Sequence, residues 1–320
     1  HTWQVDAAIK LLDEGSTVHF IARYWKEVTG VLDDTQLRTL EERLGYLREL
    51  NTRRKTILDS IEKQEKLTLK LASLIYAADS KTRLEDLYLP YKTKRRTKAK
   101  VAIEAGLQPL ADTLLQNPSL DPEKAAQGYI NTSQQIDSTS DALDGAKYIL
   151  MERFSLAADL LAELRNMGWQ DAKWQTKVID GKQQQGAKFQ DYFEFEEALK
   201  KIPSHRALAI LRGKSEGVLQ ASIAWSANDH LPYESRVASY WRIKNHGRAA
   251  NKWLNEVVRS TWRVKLAGQL ETALIARVRE ASDDNAIGVF ANNLKDLLLA
   301  APAGDKVTLG LDPGLRTGVK

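Results

Sequence analysis

Residues 33–50 read DDTQLRTLEERLGYLREL, and their periodicity predicts a long amphipathic helix. Leucines recur along it at intervals of three and four residues: Leu37, Leu40, Leu44 and Leu47. This spacing puts the leucines on one side of a helix, while Arg and Glu occupy the other. Asp33 precedes Gln36 by the spacing of a capping box, which predicts where the helix begins. The strongest local signal in the chain is therefore helical.

The same reasoning predicts helices over most of the rest of the chain. They are expected at residues 5–14, 18–26, 69–78, 82–89, 107–116, 122–129, 141–154, 155–167, 188–201, 203–213, 237–278 and 286–299. Strands are expected at 173–180, 217–225 and 307–312. The first two helices, joined by a turn at Gly15, resemble a helix-turn-helix. The expected fold class is mainly α, a multi-helix array with a helix-turn-helix-like N-terminal element and a few short strands.

The length of the chain and the positions of its linker residues indicate several compact units within the 320 residues. Residues 1–66 are expected to hold the helix-turn-helix-like element and the long amphipathic helix. Residues 67–200 and 201–304 form two further helical regions, the second with a short strand. Residues 305–320 follow a linker, and we interpret them as the first strand of a domain that the chain does not complete.

Composition excludes several classes of protein. There is no cysteine, so disulfides, thiolate zinc sites, iron–sulfur clusters and a cysteine nucleophile are ruled out, and a reducing, cytoplasmic location is expected. No apolar run approaches the roughly 20 residues of a membrane helix. The five histidines form neither HxH nor HExxH, and Gly213-Lys214-Ser215 lacks the earlier glycine of a phosphate loop. We therefore expect no metal and no cofactor.

The feature that most indicates a function is a basic segment, residues 92–100. It holds six cations and no acid: Lys92, Lys94, Arg95, Arg96, Lys98 and Lys100. Closely spaced cations suit the phosphates of a nucleic acid. A solvated loop whose charges have no binding role would show the same sequence pattern. Arg23 and Lys26 are a weaker version of this signal. Aromatic and arginine residues also alternate over 225–263, where helix packing is the favoured interpretation over base stacking.

Asp312 is the one candidate for catalysis, because it ends a predicted strand and is followed by Gly314 and Gly318. Such an aspartate fits a metal-dependent nuclease of the ribonuclease-H-like kind or an actin-like ATPase. Either would need partners from later strands, and eight residues follow Asp312. No complete active site is expected in this chain.

Several stretches together resemble the Tex family of bacterial transcription accessory proteins. They are LLDEG (11–15), FIARY (20–24) with Lys26-Glu27, LDDTQLR (32–38), LEDLYLPYK (84–92) with KRRT (94–97), GAKF (186–189) with DYF (191–193), IPSHRAL (202–208), AAP (300–302) and LGLDPGLRTG (309–318). His19, Trp25, Val31 and Thr93 stand where the family usually has Pro, Arg, Gly and Pro. The Trp25 substitution removes a cation from the helix-turn-helix-like element.

The resemblance implies a helical N-terminal region followed by a ribonuclease-H-like domain of the YqgF type, of which residues 305–320 would be the first strand. It also implies nucleic-acid binding and a role in transcription, with a core shared with a eukaryotic elongation factor. The helix-hairpin-helix and oligonucleotide-binding domains of the family lie outside this chain.

Three functions remain open at this point. The preferred one is a non-catalytic scaffold that binds RNA or DNA through the basic segment, with Arg23 and Lys26 as further contacts. The second is part of a metal-dependent nuclease anchored on Asp312. The third is an interaction module that docks RNA polymerase or a transcription factor, in which case the leucine stripe at 37–47 would be partly exposed.

Overall fold

A computed structural model describes residues 1–92, 96–225, 230–302, 304–311, 313–314 and 318–319. The fold is mainly α, as predicted, with one small antiparallel sheet. None of the described helices is both long and apolar enough to cross a membrane. The chain forms two compact units that do not follow sequence order: residues 1–166 with 230–270, and residues 167–229 with 271–320.

The first unit begins with α1 (Thr2–Asp13), α2 (Val18–Tyr24) and α3 (Asp34–Glu62). The predicted capping box is confirmed at the start of α3: the Gln36 N–H donates to Asp33 Oδ1 at 2.8 Å, and the Asp33 N–H donates to Gln36 Oε1 at 3.0 Å. Leu37 is fully buried with Ile21 and Ala8 in a small core between these three helices. The N-terminal helical hairpin is thus fastened to the first turns of α3.

Six further helices follow in this unit and lead to the interface described below. They are α4 (Leu69–Ala77), α5 (Lys81–Tyr88), α6 (Lys98–Glu104), α7 (Gln108–Gln116), α8 (Pro122–Ala126) and α9 (Thr139–Ser155). A second core joins the C-terminal half of α3 to α4 and α5, where Ile57, Ile75 and Leu84 are fully buried. This core fixes the position at which α5 ends.

The first unit is completed by residues 158–166 and 230–270. The segment α10 (Ala158–Asp171) begins there. Of the next two helices, α13 (Asn251–Ser260) packs against α9, and α12 (Leu231–Tyr240) packs against α13. A π-helical turn at Thr261–Leu266 separates α13 from α14 (Ala267–Leu298). Within it, the Trp262 indole N–H donates to His230 Nδ1 at 2.8 Å, and its ring stacks on Tyr233 at 4.6 Å between centroids.

The second unit is built on a three-stranded sheet with the strand order β2-β1-β3. These strands are β1 (Lys173–Val178), β2 (Glu194–Ala198) and β3 (Leu219–Ala224), and α11 (Ser204–Ser215) lies between the last two in sequence. Both pairings are antiparallel, with Trp174 opposite Glu197 and Ile223. Trp174 is fully buried and anchors the sheet to its core. The strands predicted at 173–180 and 217–225 are therefore confirmed.

Several predicted elements differ from the structure. Residues 188–201 are not a helix: a 3-10 turn at Ala187–Tyr192 leads into β2, where Phe195 alternates with Glu194 and Glu196. This short alternation has the period of a strand. The Lys173 ammonium group of β1 lies 2.6 Å from Glu196 Oε1 of β2, so an ion pair links the two strands. Residues 241–250 interrupt the helix predicted over 237–278.

Helix boundaries were also misplaced at three serine, threonine and glycine positions. Ser80 rather than Thr82 caps α5, accepting from the Arg83 N–H at 3.3 Å. Ser155 lies inside α9, where its hydroxyl donates to the Glu152 carbonyl at 2.9 Å, so it caps no helix. The next helix, α10, runs through Gly168 instead of ending there, and glycine at this position serves close packing, since Leu274 Cδ1 lies 2.8 Å from the ideal Cβ position.

The end of the chain carries little regular structure among the described residues. Residues 307–311 form no strand, and two-residue strands at Pro313–Gly314 (β4) and Gly318–Val319 (β5) pair with each other. Asp312 lies outside the described residues, so the structure places no candidate catalytic aspartate.

Val31 adopts an unfavourable backbone conformation in the turn between α2 and α3. Its φ is +68°, in the left-handed region where a β-branched residue is strained by about 1–2 kcal/mol. The side chain is 71% exposed, so little packing compensates. Glycine, which has no Cβ, would adopt this conformation without strain.

We predict that Val31→Gly stabilises the protein by about 1 kcal/mol, because the strain relieved exceeds the backbone entropy that glycine adds to the unfolded chain. Urea denaturation of the two proteins measures the difference. Val28→Gly is the control, since Val28 is also an exposed valine, at 45%, and has no positive φ. That control should lower stability, and equal effects of the two substitutions would contradict the interpretation.

Candidate nucleic-acid interface

The basic segment is exposed wherever the structure describes it. Lys92 follows α5 in a turn, Arg96 precedes α6, and Lys98 and Lys100 lie in the first turn of α6. All four side chains belong to exposed residues. Lys94 and Arg95 lie outside the described residues. The segment is therefore part turn and part helix, and the sequence analysis did not predict α6.

The N-terminal end of the basic segment is held by α3. The Gln64 side-chain amide donates to the Tyr91 carbonyl at 2.9 Å and to the Ser60 carbonyl at 3.1 Å. The Tyr88 hydroxyl lies 3.0 Å from the Ser60 hydroxyl. The Arg53 guanidinium lies 5.5 Å from the centre of the Tyr88 ring. These contacts fix the backbone immediately before Lys92.

The C-terminal end is held by the packing of α6 on α9. Thr97 caps α6 by accepting from the Lys100 N–H at 3.1 Å, and Ala99 and Ala102 are buried against α9. Gly145 of α9 leaves room for this region, because a Cβ there would collide with Leu107 Cδ1 and lie 3.3 Å from the Ala102 methyl group. Small residues thus face inward on α6, and Lys98 and Lys100 are left on its exposed side.

The described cations of the basic segment are largely free of carboxylates. Arg96 pairs with Glu104 at 2.8 Å, but both side chains are exposed (70% and 45%), and such pairs contribute only about 0–1 kcal/mol. The Lys98 ammonium group lies 4.8 Å from the centre of the Tyr148 ring. Among the described residues, no carboxylate lies within 4.0 Å of the ammonium groups of Lys92, Lys98 or Lys100. These three charges remain available to an external anion.

Arg23 and Lys26 are the other predicted contacts, and they lie at and just beyond the end of α2. Both residues are exposed. The Arg23 guanidinium lies 5.9 Å from the centre of the Tyr24 ring. By contrast, Arg38 on α3 is occupied by Asp34, which its Nε contacts at 2.7 Å. This hydrogen bond and charge hold the pKa of Asp34 below its usual value.

A buried ion pair fixes α5, the helix from which the basic segment emerges. The Arg165 guanidinium of α10 donates to both carboxylate oxygens of Asp86, at 2.7 and 2.6 Å. Asp86 is 6% exposed, and burial raises the pKa of its carboxyl above the usual value although Arg165 acts in the opposite direction. The pair therefore orients two helices rather than adding much net stability.

The remaining predicted features serve packing. The aromatic residues between 225 and 263 are buried or half-buried, which confirms the packing interpretation. In the leucine stripe, Leu37 is buried, Leu40 and Leu44 are half-buried, and Leu47 is 40% exposed. Leu40 packs against the N-terminal core. Most of this stripe is thus used within the chain.

Comparison with known proteins agrees with this architecture. A model described as "Tex-like protein N-terminal domain" matches residues 1–62, and one described as "Tex central region-like" matches residues 117–290, more than half of the chain. The chain belongs to the Tex family. The resemblance noted from the sequence motifs is therefore confirmed.

Individual relatives of the Tex family align along the whole chain. It is 56% identical to "Protein YhgF" of Escherichia coli over 99% of its length, and 54% identical to "Transcriptional accessory protein Tex" of Neisseria gonorrhoeae over 100%. In both cases it spans 42% of the relative. A human protein named "S1 RNA-binding domain-containing protein 1" is 26% identical over 99% of the chain, which spans 33% of that protein.

We predict that Asp86→Ala lowers the free energy of unfolding by about 2–3 kcal/mol, because it leaves the largely buried Arg165 charge, whose side chain is 21% exposed, without a partner. The double variant Asp86→Leu, Arg165→Met removes both charges and should recover most of this loss. Urea denaturation of the three proteins measures both values. A double variant no more stable than Asp86→Ala would show that the pair itself is the main stabilising interaction.

Proposed function

We propose that this region of a Tex-family protein is a non-catalytic helical scaffold that presents the basic segment to a nucleic-acid backbone. The observation that carries the proposal is the exposure of Lys92, Lys98 and Lys100 without a carboxylate partner among the described residues. Uncompensated cations held on a fixed backbone suit phosphates, whose spacing along a strand is regular.

The rigidity of the surroundings supports the same proposal. Gln64 holds the backbone before Lys92, and the packing of α6 on α9 holds Lys98 and Lys100. Ordered cations lose less conformational entropy on binding than those of a flexible loop. Lys94 and Arg95 would add two further charges, and Arg23 with Lys26 would form a second contact on the N-terminal element.

The proposed setting is transcription in the cytoplasm, with RNA or DNA as the partner and RNA polymerase as a possible further one. The names of the relatives support it, since one is called a transcriptional accessory protein and another an S1 RNA-binding domain-containing protein. Contacts of this kind read backbone charge, so the binding is expected to tolerate different sequences and to weaken with salt.

We predict that Lys92→Gln, Lys98→Gln, Lys100→Gln weakens nucleic-acid binding and reduces its salt dependence. If each lysine neutralises one phosphate, the slope of log affinity against log salt falls by roughly 2 to 3, at about 0.7 per phosphate on single strands and 0.9 on duplex. Fluorescence anisotropy with labelled RNA and duplex DNA at several salt concentrations measures this slope.

The matched control is Lys177→Gln, Lys201→Gln, Lys214→Gln. These three lysines are also exposed and belong to the second unit, so the control changes net charge by the same amount without touching residues next to the basic segment. It should leave both affinity and salt slope close to those of the unmodified chain. Equal losses in the two variants would mean that net charge, and not the basic segment, governs binding.

A further inference from the structure

The solvent side of α2 carries two aromatic rings in contact. Val18 and Ile21 are buried on the core side of this helix. On the opposite side, Phe20 is 47% exposed and Tyr24 is 65% exposed, with their ring centres 4.9 Å apart and tilted by 45°. The two rings form one continuous apolar surface on an exposed helix.

Exposed aromatic residues are concentrated in this part of the chain. Of the large aromatic residues that are exposed, Trp3, Phe20, Tyr24 and Trp25 lie within the first 25 residues, and Tyr76 and Phe290 lie elsewhere. Burying an aromatic side chain stabilises a fold by about 1.5–3 kcal/mol, and these residues forgo part of that gain. Folding alone therefore does not account for them.

The charges beside the rings favour an anionic ligand. The Arg23 guanidinium approaches the Tyr24 ring, at 5.9 Å, and Lys26 follows after Trp25. In the part of the chain that the structure describes, neither cation forms an ion pair, whereas the nearby Arg38 is occupied by Asp34. Aromatic rings next to unpaired cations are the combination that binds unpaired bases and their phosphates.

We propose that Phe20 and Tyr24 form a stacking platform for a single-stranded nucleic acid, with Arg23 and Lys26 contacting its phosphates. The rings are too close to hold a base between them, which would need roughly 7 Å, twice the spacing of stacked bases. Each ring instead offers its outer face. In a duplex the base faces are already stacked on one another, so the platform selects single strands.

This inference rests on the proposed function, because it presumes that the chain binds nucleic acid, but it concerns different residues. The basic segment supplies charge to single strands and duplexes alike. The platform on α2 adds affinity for single strands alone, through an apolar contact that salt does not screen.

The test is the double variant Phe20→Ala, Tyr24→Ala in the full 320-residue chain, which keeps every charge. Fluorescence anisotropy is measured with a labelled 12-nucleotide single-stranded RNA and with a duplex DNA of equivalent sequence. We expect roughly 5- to 100-fold weaker binding of the single strand, an unchanged salt slope, and duplex binding within about twofold.

Two controls separate stacking from other effects. Tyr76→Ala removes a tyrosine of the same exposure, 65%, from α4 and should change nothing. Phe20→Trp, Tyr24→Trp keeps a flat ring at both positions and should retain single-strand affinity. Thermal denaturation of each variant checks that the N-terminal core is intact.

The outcomes distinguish the two proposals. Unchanged single-strand affinity in Phe20→Ala, Tyr24→Ala overturns the platform. This result would be expected if the rings instead contacted a protein partner. The lysine variants of the basic segment then test the proposed function separately. Loss of affinity for both single strands and duplex would also overturn it. Failure of the unmodified chain to bind either nucleic acid would reject the proposed function and the platform together.

Discussion

The close approach of α6 to α9 is the constraint on which the candidate interface depends. Ala99 and Ala102 are small enough to let the backbone of α6 lie against α9, and Gly145 of α9 leaves room for Ala102 and for the Leu107 side chain. A helix of seven residues has little stability of its own, so this packing rather than helix propensity fixes its direction. With the inward positions occupied by alanines, Lys98 and Lys100 are directed outward. Gln64 fixes the other end of the basic segment by holding the Tyr91 carbonyl.

The first unit therefore combines two properties. Its interior holds helices in fixed positions, and its surface carries lysines of the basic segment that have no carboxylate partner among the described residues. The Asp86–Arg165 pair illustrates the first property, because a buried carboxylate and a largely buried guanidinium must keep both their geometry and their partner. Lys92, Lys98 and Lys100 illustrate the second, because folding leaves them without neighbouring carboxylates among the described residues. Ordered cations of this kind lose less conformational entropy than those of a flexible loop would on binding a polyanion, which is the function proposed for them.

Local signals in the sequence predicted the fold where the decisive contacts are also local. The capping box of Asp33 and Gln36 involves residues three apart, and it was found correctly. The α6 helix was missed because its charges dominate the pattern, although the Thr97 cap and the spacing of Ala99 and Ala102 were available signals. Residues 188–201 were assigned to a helix because the alternation around Phe195 is short, and only pairing with β1 reveals it as a strand.

The charge of the candidate site could be predicted from the sequence, but the residues that hold the site in place could not. The six cations of the basic segment were evident from composition, whereas Gln64 and Tyr148 reach it from distant parts of the chain and carry no local signal. Similarly, the departure at Val31 could be noted from the family pattern, but its physical meaning required the positive φ. The exposure of Phe20 and Tyr24 could not be predicted from the sequence either, because aromatic residues are generally expected to be buried.

Lysine acetylation footprinting by mass spectrometry tests the central claim most directly. The chain is labelled briefly with and without a single-stranded RNA, and the modification rate of each lysine is compared. The account predicts that RNA protects Lys92, Lys98 and Lys100, while Lys177, Lys201 and Lys214, which are also exposed, react at unchanged rates. Protection spread evenly over all six lysines, or absent from the basic segment while present elsewhere, would contradict it.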